Sequence, residues 1–460
     1  MPTADLQSFD LVIRNGEVVT TAGKQRLDIG VSNGKITALA ENLSQPAPQK
    51  INATGMLIFP GIIDAHTHMG IPVLDTISAD DFSSGSLAAA YGGVTTILDF
   101  SVQENGQSLH DAVAVRLRQA ENCCRVDYGL HVNITSQPEK CLREIVSLAA
   151  AGFKSFKLFF TYEQMMVNLQ QFYQILTAVQ AVNGLVMLHA EDHATITRLV
   201  NRHLAAGEIS PIFHARSHPP VAEAQAITQA AKIAGDVGAP LYVVHLSSQA
   251  GLGAALQARE RGVQLFLETC PQYLLLTEEK FLKENGHWFI TTPPLRTSED
   301  TAALWQAIAQ NQVDVIATDH CPFTIAQKNC GGGNFDRTPN GLPGVETLFP
   351  LLYTYGVCQG RISLRQLVKV LALNPAQIFG LAPSKGEIKI GTDADLMIWN
   401  PTGIQNISAN QLHGRADWSP YEGMALSGYL SATVLRGNII VKDGRLQEER
   451  GIGRVVHALK

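Results

Sequence analysis

Eight short apolar runs, rich in β-branched and aromatic residues, follow one another through the middle of the chain. They cover residues 58–66, 94–101, 126–134, 155–160, 185–190, 241–247, 263–270 and 313–320. Helix-like stretches such as "SLHDAVAVRLRQAENC" and "EAQAITQAAKIAGDVG" separate most of them. Strands that alternate with helices indicate an α/β fold, and eight such strands predict a (β/α)8 TIM barrel over residues 56–384.

The two ends of the chain have a different pattern. The N-terminal runs "FDLVIRNGEVVT" and "LDIGVSNGKITALA" contain Asn-Gly, which is a strong signal for a β-hairpin. The same alternation returns near the C-terminus in "GEIKIGTDADLMIWN" and "YLSATVLRGNIIVKDGRL". We therefore expect residues 1–55 and 385–460 to form one small β-sandwich domain.

Composition narrows the class of protein. Hydrophobic residues make up 45% and charged residues 17%, which is typical of a globular protein. The net charge of −6 gives no reason to expect a nucleic acid or a membrane as partner. Seven scattered cysteines without a C-x-x-C pair indicate free thiols in a reducing compartment. Since the N-terminus shows no signal-peptide pattern, we expect a cytoplasmic protein.

Residue types that bind metals follow several of the predicted barrel strands. Catalytic groups of such barrels lie at the carboxyl ends of the strands, and residues i and i+2 of a strand point to one face. Four imidazoles and one carboxylate suit zinc, and also iron, cobalt or manganese. The pattern predicts a metal site at the barrel mouth, and its candidate residues are His66, His68, Lys157, His189, His245 and Asp319.

Lys157 stands in the middle of the apolar run "SFKLFF", where an unpartnered ammonium would be costly. Two interpretations follow from the residues. The side chain either snorkels to the rim with its stem buried, or its neutral amine adds CO2 and becomes a carbamate, which is an anion able to bridge two cations. The sequence pattern alone leaves both open.

Many separate motifs of the chain stand in an order that resembles one known family. They are "GIIDAHTH", "GFKSFKLFFTY", "LHAED", "VVHLSS", "ETCPQYL", "TPPLR", "ATDHCPF" and "PNGLPG". Together they resemble the cyclic amidohydrolases, and within them the hydantoinase/dihydropyrimidinase group. The resemblance implies two divalent metal ions, usually zinc, with His66, His68 and Asp319 on one and His189 and His245 on the other. Carboxylated Lys157 (N6-carboxylysine) and a hydroxide would bridge them.

The resemblance also implies an activity, namely hydrolysis of the cyclic amide bond of hydantoins or dihydropyrimidines to N-carbamoyl amino acids. The bridging hydroxide would attack the carbonyl carbon, and Asp319 would accept its proton and return it to the leaving nitrogen. Tyr162 would stabilise the oxyanion. Thr292 and Asn340 would contact the imide edge of the substrate, although the family usually has a serine where Thr292 stands. Similar enzymes are homotetramers or homodimers.

The sequence motifs leave the choice of substrate open. Dihydroorotases typically carry an arginine after the H-x-H, and "HTHMGIPV" has none, which argues against dihydroorotate. Met69, Ile71, Pro72 and Val73 either form an apolar lid for a hydrophobic 5-substituent or simply pack on the scaffold. "NGLPGVET" is similar to allantoinases, so an allantoinase-like hydrolase of another cyclic ureide is one alternative. A non-catalytic dihydropyrimidinase-like scaffold protein is another.

Overall fold

Seven short strands precede the barrel in the chain. The computed structural model describes residues 8–136 and 138–458. The strands are β1 Leu11–Arg14, β2 Glu17–Thr20, β3 Gly23–Arg26, β4 Asp28–Ser32, β5 Lys35–Ala40, β6 Gln49–Asn52 and β7 Leu57–Pro60. A four-stranded sheet has the order β5-β4-β1-β6, and β2, β3 and β7 belong to a second sheet.

The middle of the chain forms a parallel barrel. Its strands are β8 Ile62–Thr67, β11 Val94–Ser101, β12 Asp127–Asn133, β13 Ser155–Phe159, β14 Leu185–His189, β15 Leu241–Val243, β16 Leu265–Thr269 and β17 Val315–Ile316, while β9 Pro72–Val73 and β10 Thr76–Ile77 form a hairpin after β8. Neighbouring barrel strands pair in chain order. A parallel bridge between Thr67 and His320 joins the last strand to the first. The predicted TIM barrel is confirmed.

Helices separate the barrel strands and continue beyond them. They are α1 Phe82–Tyr91, α2 Leu109–Ala120, α3 Pro138–Ala150, α4 Leu169–Gln180, α5 His193–Ala205, α6 Ile212–Ser217, α7 Pro220–Val237, α8 Gln249–Glu260, α9 Pro271–Leu275, α10 Ser298–Ala309, α11 Ile325–Asn329, α12 Leu348–Leu351, α13 Leu364–Val368 and α14 Asn374–Ile378. π-Helical turns at Leu352–Cys358 and Lys369–Leu373 continue α12 and α13. None of the helices within residues 8–136 and 138–458 has the length and apolarity needed to cross a bilayer.

Four strands near the C-terminus complete the second sheet. They are β18 Leu396–Asn406, β19 Ala425–Leu435, β20 Asn438–Lys442 and β21 Arg445–Leu446, and the sheet has the order β21-β20-β19-β18-β7-β2-β3. Buried residues of both sheets share one hydrophobic core, for example Ile13 and Ile29 of the first sheet with Ile58 and Ile398 of the second. The predicted β-sandwich from both termini is therefore present, while the boundaries 1–55, 56–384 and 385–460 stay predictions.

The predicted first barrel strand, 58–66, is two strands. β7 pairs with β2 and β18 of the terminal sheet, whereas β8 pairs with β11 of the barrel. Gly61 joins them, and a Cβ atom there would lie 2.1 Å from the Thr95 Oγ1 atom. An uninterrupted apolar run cannot reveal such a crossing, because both halves are buried.

Candidate active site

The six candidate ligands all lie at or near the carboxyl ends of their barrel strands. His66 is the next-to-last residue of β8, His189 is the last residue of β14, and Lys157 lies within β13. The predicted strands over 241–247 and 313–320 end early, at Val243 and Ile316. Beyond each strand end the backbone becomes left-handed, at His245 (φ 38°) and at Asp319 (φ 52°). Such conformations are uncommon for non-glycine residues and cluster at functional sites.

His66, His68 and Asp319 form the tightest group of ligand atoms. The Asp319 Oδ1 atom lies 3.2 Å from His66 Nε2 and 3.0 Å from His68 Nε2. The two Nε2 atoms are 3.1 Å apart. One ligand atom from each residue thus falls within 4.8 Å of the others, as a single cation requires.

Glu268 is a buried carboxylate at this group that the sequence analysis did not assign. Its Oε1 atom accepts from His66 Nδ1 at 2.7 Å and from the His245 backbone N–H at 3.0 Å. Its Oε2 atom accepts from the Tyr242 hydroxyl at 2.8 Å. Burial raises the pKa of Glu268, and the hydrogen bonds from the Tyr242 hydroxyl and the His245 N–H, which stabilise the charged carboxylate, oppose this rise. Glu268 lies near the carboxyl end of the seventh predicted strand. Its position there is the same signal that identified the other candidate ligands.

The arrangement of nitrogen atoms fits a metal. Because His66 donates from Nδ1 to Glu268, its Nε2 carries a lone pair, and this lone pair faces His68 Nε2 and Asp319 Oδ1. Within the described residues, the buried Nδ1 atoms of His68 and His245 have no hydrogen-bond partner. Converging electron donors and unpartnered imidazole nitrogens are the ordinary features of a transition-metal site.

His189 and His245 face each other on the other side of the group. Their ring centroids are 4.6 Å apart, and the His245 centroid is 5.6 Å from that of His66. Burial lowers the pKa of His189, and it lowers the pKa of His245 well below its usual range. Both imidazoles are therefore neutral near pH 7, which metal ligation requires. His189 Nε2 donates to Glu191, which also accepts from His218 Nδ1 at 3.0 Å.

Lys157 does not reach the rim. Only 1% of the residue is exposed, so the snorkelling interpretation is wrong. Burial lowers the pKa of its amine to about 8. Its Nζ atom lies 5.4 Å from the ring centroid of Phe100 and 5.2 Å from that of Phe159. A lysine in this environment has a substantial neutral fraction near pH 7 to 8, and the carbamate itself stays a prediction.

The predicted substrate-binding residues lie on three segments after the strands. Tyr162 has a left-handed backbone (φ 68°), and its ring centroid is 5.2 Å from that of His189. Burial raises the pKa of its hydroxyl, and the nearby Thr292 hydroxyl partly offsets the rise. Tyr162 is therefore a proton donor at all ordinary pH values. Thr292 is buried, and Asn340 is half-buried on a segment whose next residue, Gly341, donates to the Ile290 carbonyl at 3.0 Å.

The stretch after His68 divides between packing and exposure. Met69 is fully buried and packs beneath Gly85 of α1, so its role in an apolar lid is wrong. The hairpin β9–β10 is more open, since Leu74 is 62% and Ile77 is 57% exposed. The Gln327 side chain donates to the Thr76 hydroxyl and to the Ile77 carbonyl, both at 2.8 Å. The hairpin is thus the apolar surface that remains in this stretch.

Comparison with known proteins places this geometry in a family. The model of the Amidohydrolase family matches residues 57–440. The chain is 37% identical to a D-hydantoinase of Ralstonia pickettii over 98% of this chain and 99% of that protein. It is 40% identical to a D-phenylhydantoinase of Escherichia coli O9:H4 (strain HS), over 96% and 97%. The solved dihydropyrimidinase of Brevibacillus agri NCHU1002 superposes with a TM-score of 0.95 at 35% identity, covering 97% of this chain and 98% of that one.

Proposed function

The chain belongs to the amidohydrolase family, whose members depend on a binuclear metal centre, and from that premise we propose that it hydrolyses the cyclic amide bond of hydantoins or dihydropyrimidines. The products would be N-carbamoyl amino acids. The observation that carries the proposal is the similarity to a D-hydantoinase and a D-phenylhydantoinase over nearly the whole of each chain. The cluster of His66, His68 and Asp319 at the barrel mouth supports it.

Six side chains would hold two divalent cations, which we propose to be Zn²⁺ because neutral imidazoles and carboxylates are its usual ligands. When bound, the cations would lower the pKa of a water molecule and polarise the substrate carbonyl. His66, His68 and Asp319 would hold one cation, and His189 and His245 the other. Carboxylated Lys157 would belong to both, since its two oxygen atoms allow it to bridge.

The remaining chemistry belongs to residues of the chain. Asp319 would accept the proton of the attacking water and return it to the leaving nitrogen. His66 and His68 keep the pKa of this buried carboxyl below its usual range, so Asp319 is ionised and able to accept a proton. The protonated Tyr162 hydroxyl would donate to the developing oxyanion. Backbone groups near Thr292 and Asn340 would hold the imide edge of the ring. Glu268 would keep the His66 ring in its orientation.

Replacement of Lys157 tests the bridging ligand. A neutral amine and CO2 combine to a carbamate with release of one proton, so Lys157→Ala removes the bridge and should abolish metal binding and hydrolysis. Short carboxylic acids, which supply a carboxylate to the vacated space, should restore part of the activity. Lys154→Ala is the matched control, because Lys154 lies three residues earlier, outside the strand that carries Lys157, and is only partly buried. Full metal content and activity in Lys157→Ala would contradict the carbamate.

A substrate panel tests the activity itself. The purified protein is assayed with D- and L-phenylhydantoin, dihydrouracil and allantoin at saturating Zn²⁺, and the products are separated on a chiral column. We expect hydrolysis of a hydantoin or of dihydrouracil in preference to allantoin. Preference for allantoin would establish the allantoinase-like alternative. Absence of bound transition metal together with absence of hydrolysis would establish the scaffold alternative.

We also propose a homotetramer or homodimer located in the cytoplasm. Light scattering coupled to size-exclusion chromatography gives the mass of the assembly, and a mass of one 49.7 kDa chain would contradict the first. Fractionation of the source cells tests the second.

A further inference from the structure

Lys328 is a fully buried lysine outside the metal group. It lies on the short helix α11, and none of its surface is exposed. Its Nζ atom donates to the Ile290 carbonyl at 2.8 Å and to the Pro339 carbonyl at 2.7 Å. The same atom stands 5.4 Å from the ring centroid of Phe323. The ion pairs within residues 8–136 and 138–458 do not include it.

The two carbonyls belong to two separate segments beside the site. Ile290 lies two residues before Thr292, and Pro339 directly precedes Asn340. The Ile290 carbonyl also accepts from the Gly341 backbone N–H at 3.0 Å, so this carbonyl and Lys328 join both segments. One buried amine thus contacts both parts of the chain that we propose to bind the substrate.

The far side of the second segment is fixed to the end of the barrel. The Cys321 N–H donates to the Leu342 carbonyl at 3.0 Å, two residues after Asp319. A Cβ atom on Gly341 would lie 2.4 Å from the Cys321 carbonyl oxygen, so the backbones approach closely there. The segment 339–342 therefore lies between the end of the eighth strand and Ile290. Lys328 sets the separation on the Ile290 side.

Filling the space does not require a lysine. A methionine of similar length would pack against Phe323 without the cost of burying an amine. Burial lowers the pKa of Lys328 to about 7, because the charged amine is less stable in the interior than in water. Both the charged and the neutral amine have enough N–H groups for two carbonyls. What the lysine adds over an apolar residue is therefore the pair of directed hydrogen bonds.

We propose that Lys328 is a positioning residue for substrate binding, which holds the segments 290–292 and 339–341 at a fixed separation through the Ile290 and Pro339 carbonyls. The inference rests on the proposed function, because these segments bind the ring only if the chain is a cyclic amidohydrolase. Its two hydrogen bonds go to the Ile290 and Pro339 carbonyls, and neither of these residues is a candidate metal ligand. Its loss should weaken substrate binding and leave metal binding intact.

The test is Lys328→Met in the metal-loaded protein, assayed with the best substrate of the panel. We expect KM to rise about tenfold, which corresponds to roughly 1.4 kcal/mol, while kcat changes less and metal content stays at the wild-type value. Hydrogen exchange measured by mass spectrometry should become faster in peptides that cover 288–292 and 338–342. Lys328→Gln keeps two N–H donors on a shorter side chain and should recover part of both effects. It also carries the comparison if Lys328→Met does not fold.

Gln327→Ala is the matched control on the same helix. It removes the side-chain cap that Gln327 provides for α11 and the hydrogen bonds to the hairpin β9–β10, but it leaves both carbonyls with Lys328. The control should have a lower unfolding temperature and an unchanged KM for dihydrouracil, which has no hydrophobic substituent for the hairpin to contact and with which Lys328→Met is measured as well. If Lys328→Met and Lys328→Gln lower the unfolding temperature with unchanged KM and exchange, Lys328 is only structural. If the wild-type protein hydrolyses none of the substrates, the proposed function fails, whatever the exchange data show for Lys328.

Discussion

Glu268 has a defined task at the scale of the single residue. Three donors converge on its buried carboxylate, from His66, Tyr242 and His245. A carboxylate behind a metal-binding histidine fixes the tautomer and the orientation of the ring. Glu268→Gln should therefore lower metal affinity about 10- to 100-fold, measured by competition with a chelator. The amide introduces N–H groups where three donors already point.

Tyr242→Phe is the control for Glu268→Gln. It removes one donor but leaves the carboxylate and its contacts with His66 and His245. Metal affinity should fall less in this variant than in Glu268→Gln. Equal metal retention in wild type and Glu268→Gln would show that His66 keeps its orientation without the carboxylate.

His131 predicts a pH dependence of stability. Burial lowers the pKa of His131 from 6.5 to about 3, and both ring nitrogens are bonded, to the Ala65 carbonyl and the Ser155 hydroxyl. Between these pH values the unfolded chain binds a proton that the folded chain does not. The contribution to stability is therefore complete above pH 6.5 and falls by roughly 1.4 kcal/mol for each unit below it.

The difference between wild type and His131→Gln isolates this effect. Loss of metal in acid affects both proteins, so the gap between their unfolding temperatures is measured at several pH values from 7 to 4. Wild type should be the more stable protein at pH 7, and the gap should shrink as the pH falls. A gap that stays constant over this range would contradict the predicted titration.

The residues that sequence reasoning found and missed differ in the nature of their partners. The proximity of His66, His68, His189, His245 and Asp319 was predictable, because each follows an apolar run and the barrel fold brings such positions together, while their roles as ligands stay predictions. Lys328 was not predictable, because its partners are backbone carbonyls 38 and 11 residues away. A sequence shows which side chains are present but not which carbonyls a fold leaves without a donor.

At the scale of elements, the existence of the strands was predictable and their ends were not. All eight predicted apolar runs contain barrel strands, because burial on both faces gives a continuous apolar run. β15 and β17 end early, and beyond them His245 and Asp319 have a left-handed backbone although neither is a glycine. Histidine and aspartate adopt this conformation more often than most other non-glycine residues, but it is uncommon even for them, so the surrounding packing decides where it occurs.

Gly61 predicts a steric requirement where β7 passes into β8. A Cβ atom there would lie 2.1 Å from Oγ1 and 2.7 Å from Cγ2 of Thr95. Gly61→Ala should lower the free energy of unfolding by about 1–3 kcal/mol, as overpacking does. Thr95→Ala removes both nearby atoms, so the double variant should recover part of the loss. The measurement is denaturant unfolding of the four proteins as a double-mutant cycle.

Gly253→Ala provides the comparison for Gly61→Ala. Gly253 lies in α8, and a Cβ atom there would have no neighbour within 4 Å. Alanine is the better helix former, so this variant should be neutral or slightly more stable. Simple additivity of Gly61→Ala and Thr95→Ala would show that the two sites do not clash.

At the scale of the whole molecule, the association of the two termini was predictable from their shared pattern of short strands. The junction between barrel and terminal region was not. It centres on Asp127, the first residue of β12, which pairs with Lys385 at 2.8 Å and also with Arg436. These partners are 258 and 309 residues away along the chain. Separations of this size leave no periodic trace in a single sequence.

Asp127→Asn should weaken this junction without touching the active site. Lys385 and Arg436 are largely buried, and losing one partner of a buried ion pair typically costs about 3–5 kcal/mol. Asp395 still accepts from Lys385 and from the Arg436 backbone N–H, which places the expected loss near the lower end. Because Asp127 begins its strand, it lies at the end of the barrel opposite the mouth. The unfolding temperature should therefore fall while KM and metal content stay unchanged.

Asp236→Asn is the control for Asp127→Asn. Because Asp236 is exposed, this substitution should change stability by less than about 0.5 kcal/mol. An altered KM in Asp127→Asn would show that the junction and the mouth of the barrel are coupled.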